Sequence, residues 1–237
     1  MNIIKHIPNT ITSMNLLCGV LGVIASLNGR IEQAFLLMIL ASVFDFCDGL
    51  AARLLKAYSD IGKELDSLAD DVSFGVLPAV MLFMVYTTQV PLVRYIPLLL
   101  AAFSALRLAK FNLDERQHSS FIGLPTPACA MICGSLATLV TNDSDGMLAQ
   151  WSAGPVFIPV LSLVFCYLLV SEIPMFSMKF GTGDKTSGWE MFKRLSFLAV
   201  AVLTIVVVIV CHLHWSYVFF TTFVGYVVIN LVCGHQS

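Results

Sequence analysis

Long apolar runs recur along the whole chain, most near the length that crosses a bilayer, separated by polar breaks. They fall at about 10–27, 31–55, 64–86 and 90–108, then from 121–127 to about 140, and at 156–173, 195–211 and 216–232. Inside hydrocarbon, backbone N–H and C=O groups must be satisfied within the segment, so each run is expected to be a helix. The expected fold is therefore an all-α, polytopic transmembrane bundle of about eight spans. Composition agrees. The chain is 58% apolar and 12% charged, where soluble domains run near ~25% charged. A formal charge of −2 argues against a nucleic-acid partner. The 7 cysteines lie mostly in apolar runs, none in a C-x-x-C pair, and read as small buried hydrophobes without disulfides.

Residues 1–8 are expected to form a short interfacial helix, with Asn9 or Thr10 capping the first span. The opening stretch resembles a signal peptide but lacks an A-x-A site, so it is expected to be a retained first helix. Gly19 and Gly22 would permit close helix contact, and Thr12 and Asn15 are polar groups inside a span. If the spans alternate in direction, eleven of the 13 lysines and arginines fall on the N-terminal side, and only Arg30 and Arg94 on the other. That asymmetry predicts both termini in the cytoplasm, at the plasma or inner membrane if the source is bacterial.

Four carboxylates break the apolar pattern. Asp45 and Asp48 lie near the end of the second run, three residues apart, and share one helix face. Asp66 and Asp70 lie near the start of the third, four apart, and share one face there. A hairpin of the two helices puts both pairs at one depth, on the cytoplasmic side. Two pairs aimed at one point form an all-oxygen cage suited to a hard divalent cation such as Mg2+. Such a cage beside basic loops suits a pyrophosphate-bearing substrate. Arg53 is placed for phosphate contact, and Gly49, Ala52 and Gly62 lack bulk where a nucleotide approaches. Asp70, one turn deeper than Asp66, is the candidate base for an incoming hydroxyl.

These residues read Asp45-x-x-Asp48-Gly49-x-x-Ala52-Arg53, then eight residues, then Gly62-x-x-x-Asp66-x-x-x-Asp70. The pattern resembles the full signature of the CDP-alcohol phosphotransferases. The stretches 8–15 (PNTITSMN), 66–79 (DSLADDVSFGVLPA), 106–112 (LRLAKFN) and 121–128 (FIGLPTPA) are most similar to the integral-membrane branch that uses L-serine as acceptor. The resemblance implies transfer of a phosphatidyl group from CDP-diacylglycerol to the serine hydroxyl, releasing CMP, with Mg2+ or Mn2+ as cofactor and a homodimer as the working unit. It implies Asp45, Asp48, Asp66 and Asp70 as metal ligands, with Asp70 also catalytic. Asp48, Gly49, Ala52, Arg53 and Gly62 would shape the CDP site. The whole chain, 1–237, then reads as one membrane domain: a catalytic hairpin at 31–86, an acceptor-side region at 106–128 and C-terminal spans at 156–233.

Arg107, Lys110 and Asn112, with the irregular backbone around Gly123 and Pro125, are placed to meet the serine carboxylate; positive-inside anchoring is the competing reading for the two cations. Glycerol 3-phosphate or inositol is the alternative acceptor. A cation or proton transporter with intramembrane carboxylates is the alternative of a different class. It needs no Gly49, Ala52 and Arg53, and it predicts acids spread over several helices, whereas the later runs carry little beyond Glu172. Purely structural carboxylates paired with Arg53, Lys56 and Lys63 would each cost about 2.5–3.5 kcal/mol at depth and repel one another.

Overall fold

The computed structural model describes residues 6–88, 90–113, 121–143, 146–175 and 188–233. Its elements are α1 (His6–Leu27), α2 (Ile31–Leu54), α3 (Asp60–Val85), α4 (Val93–Leu113), β1 (Phe121–Ile122), α5 (Thr126–Asn142), α6 (Met147–Ala153), α7 (Phe157–Val170), β2 (Pro174–Met175), α8 (Gly188–Val210) and α9 (Ser216–Cys233). Five of these, α1 to α4 and the Met191–Val210 part of α8, are long and apolar enough to cross a membrane; α6 and α7, bent by 92° at their junction, make a sixth if taken as one span. Each of the eight expected runs is thus helical. The α5 and α9 rods are shorter than the other spans.

The first 5 residues of the expected interfacial helix lie outside the described residues. From His6 the chain is already helical, so Asn9 and Thr10 sit inside α1 and do not cap it. α3 starts earlier than Glu64, at Asp60, because Ser59 caps it: its side chain accepts from the Gly62 N–H at 3.0 Å.

The centre of the bundle is α5. Its side chains are buried without a break from Ala128 to Leu139, as expected of a helix packed on all sides. Small residues let its neighbours close in. A Cβ on Gly134 would lie 2.7 Å from Cδ2 of Phe35 on α2. The hydroxyls of Ser135 and Thr138 return to carbonyls of their own helix, so they are satisfied without water. On the far side from the acidic pairs, Phe35 stacks on Trp215 and meets Phe219 edge-on, each at 5.4 Å, joining α2 to α9. α8 is peripheral, with Leu198, Val202, Val206 and Ile209 exposed to the lipid side.

α1 packs tightly along α3. A Cβ on Gly19 would meet Ser73 at 2.4 Å. α3 is not a regular α-helix. It runs as α to Asp70, takes a π turn over Asp71–Val76, and resumes as α at Leu77. A π turn inserts an extra residue per turn and rotates everything beyond it; such turns are frequent at functional sites. The irregular backbone expected at 121–127 is present. Gly123 has φ +77° and donates its N–H to Ile173 O at 2.9 Å, beside the short β1–β2 ladder.

Candidate active site

α2 and α3 run antiparallel and bring their acidic faces together. One carboxylate oxygen each from Asp45, Asp48 and Asp66 lies within 4.8 Å of the others. Asp70 is outside this trio, one turn deeper on α3, close enough to feel the charges of Asp45, Asp66 and Asp48. The structure thus joins three of the four aspartates as one cluster and sets the fourth beside it. An all-carboxylate donor set of this spacing fits a hard divalent cation.

α1 supplies the third wall. Thr12 donates to Asp48 Oδ2 at 2.5 Å, and Asn15 Nδ2 donates to Asp70 Oδ1 at 3.1 Å. Asn15 is itself steadied: Ser73, in the π turn, donates to its backbone carbonyl at 3.1 Å. The two in-span polar groups of α1 therefore hold carboxylates of the two other helices.

A pocket of about 350 Å³ opens beside the trio, within the roughly 300–1,000 Å³ typical of small-ligand sites. Asp48, Gly49, Ala52, Arg53, Gly62 and Asp66 line it together with Asn9, Thr12, Tyr58, Ser59 and Lys63. Every residue expected at the nucleotide site is thus on its wall. Arg53 Nε is anchored on Gly49 O at 3.0 Å. The two glycines differ. A Cβ on Gly49 would meet nothing within 4 Å, so this glycine keeps the pocket itself open, whereas one on Gly62 would lie 2.9 Å from Asn9 Oδ1 and Ser59 Oγ. Asn9, expected as a cap, Lys63, considered as a pairing cation, and Tyr58 were not expected at the pocket. The only signal for them was position, next to Pro8 and on the loop between the acidic pairs. A larger apolar hollow, about 470 Å³, lies at the α6–α7 bend against Trp151, Pro155 and Phe157, and carries no titratable group.

The five acceptor-side residues separate in space. Arg107 is buried, and its Nη1 donates to Thr126 Oγ1 at 2.9 Å. Lys110 is exposed. Asn112 turns to α3, donating to Ser67 Oγ at 2.8 Å and accepting from Lys63 Nζ on its carbonyl at 3.3 Å. Gly123 is forced by the chain path: besides its positive φ, a Cβ there would lie 2.8 Å from Leu169 O. Pro125 caps α5. The partners of Asn112, Gly123 and Pro125 are therefore structural, and Arg107, the buried cation of the five, comes within electrostatic reach of Asp70.

The sequence profile of the CDP-alcohol phosphatidyltransferase family matches residues 5–168, which include all of this site. The chain belongs to that family. A CDP-diacylglycerol–serine O-phosphatidyltransferase of Bacillus subtilis is 33% identical over 170 residues, 71% of this chain and 89% of that protein. One of Mycobacterium tuberculosis is 30% identical over 228 residues, 90% of this chain and 78% of its own length. An archaetidylserine synthase of Methanothermobacter thermautotrophicus is 35% identical over 164 residues, 67% of this chain and 66% of that protein. Within the family, the relatives reach across bacteria and archaea while sharing one acceptor in their names.

Proposed function

We infer that this protein transfers the phosphatidyl group of CDP-diacylglycerol to the hydroxyl of L-serine, giving phosphatidylserine and CMP. The observation that carries the reading is the convergence of Asp45, Asp48 and Asp66 beside a pocket that Asp48, Asp66 and Arg53 line, with Asp70 one turn away. The names of the relatives support serine as acceptor over glycerol 3-phosphate or inositol.

In this reading Arg53, Gly49, Ala52 and Gly62 seat the cytidine diphosphate against the carboxylate trio. Mg2+ or Mn2+ held by Asp45, Asp48 and Asp66, with Asp70 beside them, would offset the negative charge that builds up on the phosphoryl oxygens. Asp70 takes the hydroxyl proton as the serine oxygen bonds to the phosphorus bearing diacylglycerol. The bond from that phosphorus to the CMP oxygen breaks, and CMP leaves with the electron pair. Asn15 orients Asp70 for this step, and Thr12 orients Asp48.

The reading places the site and both termini on the cytoplasmic side, supported by the lysine and arginine asymmetry along the chain. It retains the homodimer that the resemblance implies, which size measurement in detergent tests. The deciding experiment is CMP release from CDP-diacylglycerol by purified protein, offered L-serine, inositol and glycerol 3-phosphate in turn. Release with L-serine preferred is the expected result. Preference for another acceptor overturns the serine assignment, and no release with any acceptor overturns the transferase reading.

A further inference from the structure

Arg107 is 7% exposed. Its Nη1 is taken by the neutral hydroxyl of Thr126, and its Nε is buried with no partner among the described residues. A guanidinium stays charged and carries five N–H donors, so a buried one whose Nε has no acceptor among the described residues still has donor capacity to fill. The nearest wall is aromatic: Phe111 at 5.9 Å, with Tyr226 also close. Asp70 lies within electrostatic reach, but its Oδ1 is held by Asn15.

The residue that holds Asp70 supplies the complement. Asn15 turns its Nδ2 to Asp70, the arrangement in which the carboxylate accepts. Its Oδ1 is then a buried acceptor without a donor among the described residues. Asp70 thus has an unfilled cationic donor from α4 within electrostatic reach and an unfilled acceptor on the α1 residue that holds it. An amino acid with a hydroxyl carries the matching set of groups, a carboxylate and an ammonium on the α-carbon that bears the hydroxymethyl group.

We propose that Arg107, positioned by Thr126, binds the carboxylate of the acceptor amino acid while Asn15 Oδ1 receives its ammonium, presenting the hydroxyl to Asp70. This rests on the transferase reading above. It assigns specificity for an amino-acid acceptor to α4 and α1. It also gives α9, which lies beyond the residues matched by the family profile, a wall of the acceptor site through Tyr226.

The test compares L-serine with ethanolamine, which keeps the hydroxyl and ammonium but has no carboxylate, by CMP release from purified protein. In Arg107→Gln the KM for L-serine is expected to rise roughly ten- to a hundredfold, the range for losing a hydrogen bond between charged groups. The KM for CDP-diacylglycerol is expected to hold, and the rate with ethanolamine to fall far less than the serine kcat/KM, so the preference for serine collapses. Arg107→Lys recovers part of the serine affinity, and Thr126→Val raises the serine KM more mildly. If Arg107→Gln does not fold, those two variants carry the test. Equal loss with both acceptors, or an unchanged serine KM in the folded variants, overturns the proposal while leaving phosphatidyl transfer intact. Absence of CMP release by the unmodified protein with either acceptor overturns the transferase reading itself.

Discussion

Asn15 and Asp70, 55 positions apart, are joined by a 3.1 Å hydrogen bond from the Asn15 amide to Asp70 Oδ1. The bond crosses from the first span to the third and fixes one oxygen of the proposed base. Asn15→Leu is expected to lower kcat about ten- to a hundredfold, the range for a hydrogen bond to a charged group, with the CDP-diacylglycerol KM little changed. Initial rates of CMP release at varied lipid substrate check this, and an unaltered kcat removes Asn15 from the orienting role.

Asp70→Asn keeps the size and the contact with α1 but loses the proton acceptor. Turnover is expected to fall by about 10²- to 10⁴-fold, the usual contribution of a general base, while CDP-diacylglycerol binding persists. Equilibrium binding beside single-turnover CMP release separates the two effects. A rate near that of the unmodified protein would show that another group takes the proton.

Chelating divalent cations is expected to stop turnover reversibly, and added Mg2+ or Mn2+ to restore it. Asp66→Ala removes one of the three converging carboxylates, so its activity should need a markedly higher cation concentration. Cation titration of both proteins reads this directly, and identical half-saturation would exclude Asp66 as a ligand.

Gly49 and Gly134 predict opposite outcomes. A Cβ on Gly49 enters open pocket, so Gly49→Leu should melt like the unmodified protein yet bind CDP-diacylglycerol poorly. A Cβ on Gly134 would press on the Phe35 ring, so Gly134→Leu should destabilise the bundle by about 1–3 kcal/mol, the usual cost of overpacking. Thermal unfolding in detergent distinguishes them, with lipid-facing Val202→Ala as the neutral control.

Much of this was legible in the chain because it depends on local spacing. The length of an apolar run dictates a helix inside hydrocarbon, and separations of three and four put Asp45 with Asp48, and Asp66 with Asp70, on single faces. A short connection then brings those faces to one depth. The sequence by itself therefore determined the helical class, the acidic hairpin, and Asp48, Gly49, Ala52, Arg53, Gly62 and Asp66 among the residues that line the pocket. Only the tertiary structure decided which third helix closes the site, since Thr12 and Asn15 reach partners 36 and 55 positions away. It also decided that, of the three polar side chains Arg107, Lys110 and Asn112, Arg107 is the one buried within electrostatic reach of Asp70, with Lys110 exposed and Asn112 turned to Ser67. Periodicity defines the faces of a helix. Which faces meet depends on how closely small residues let whole helices approach, and on the rotation added by the π turn after Asp70, neither of which any local spacing encodes.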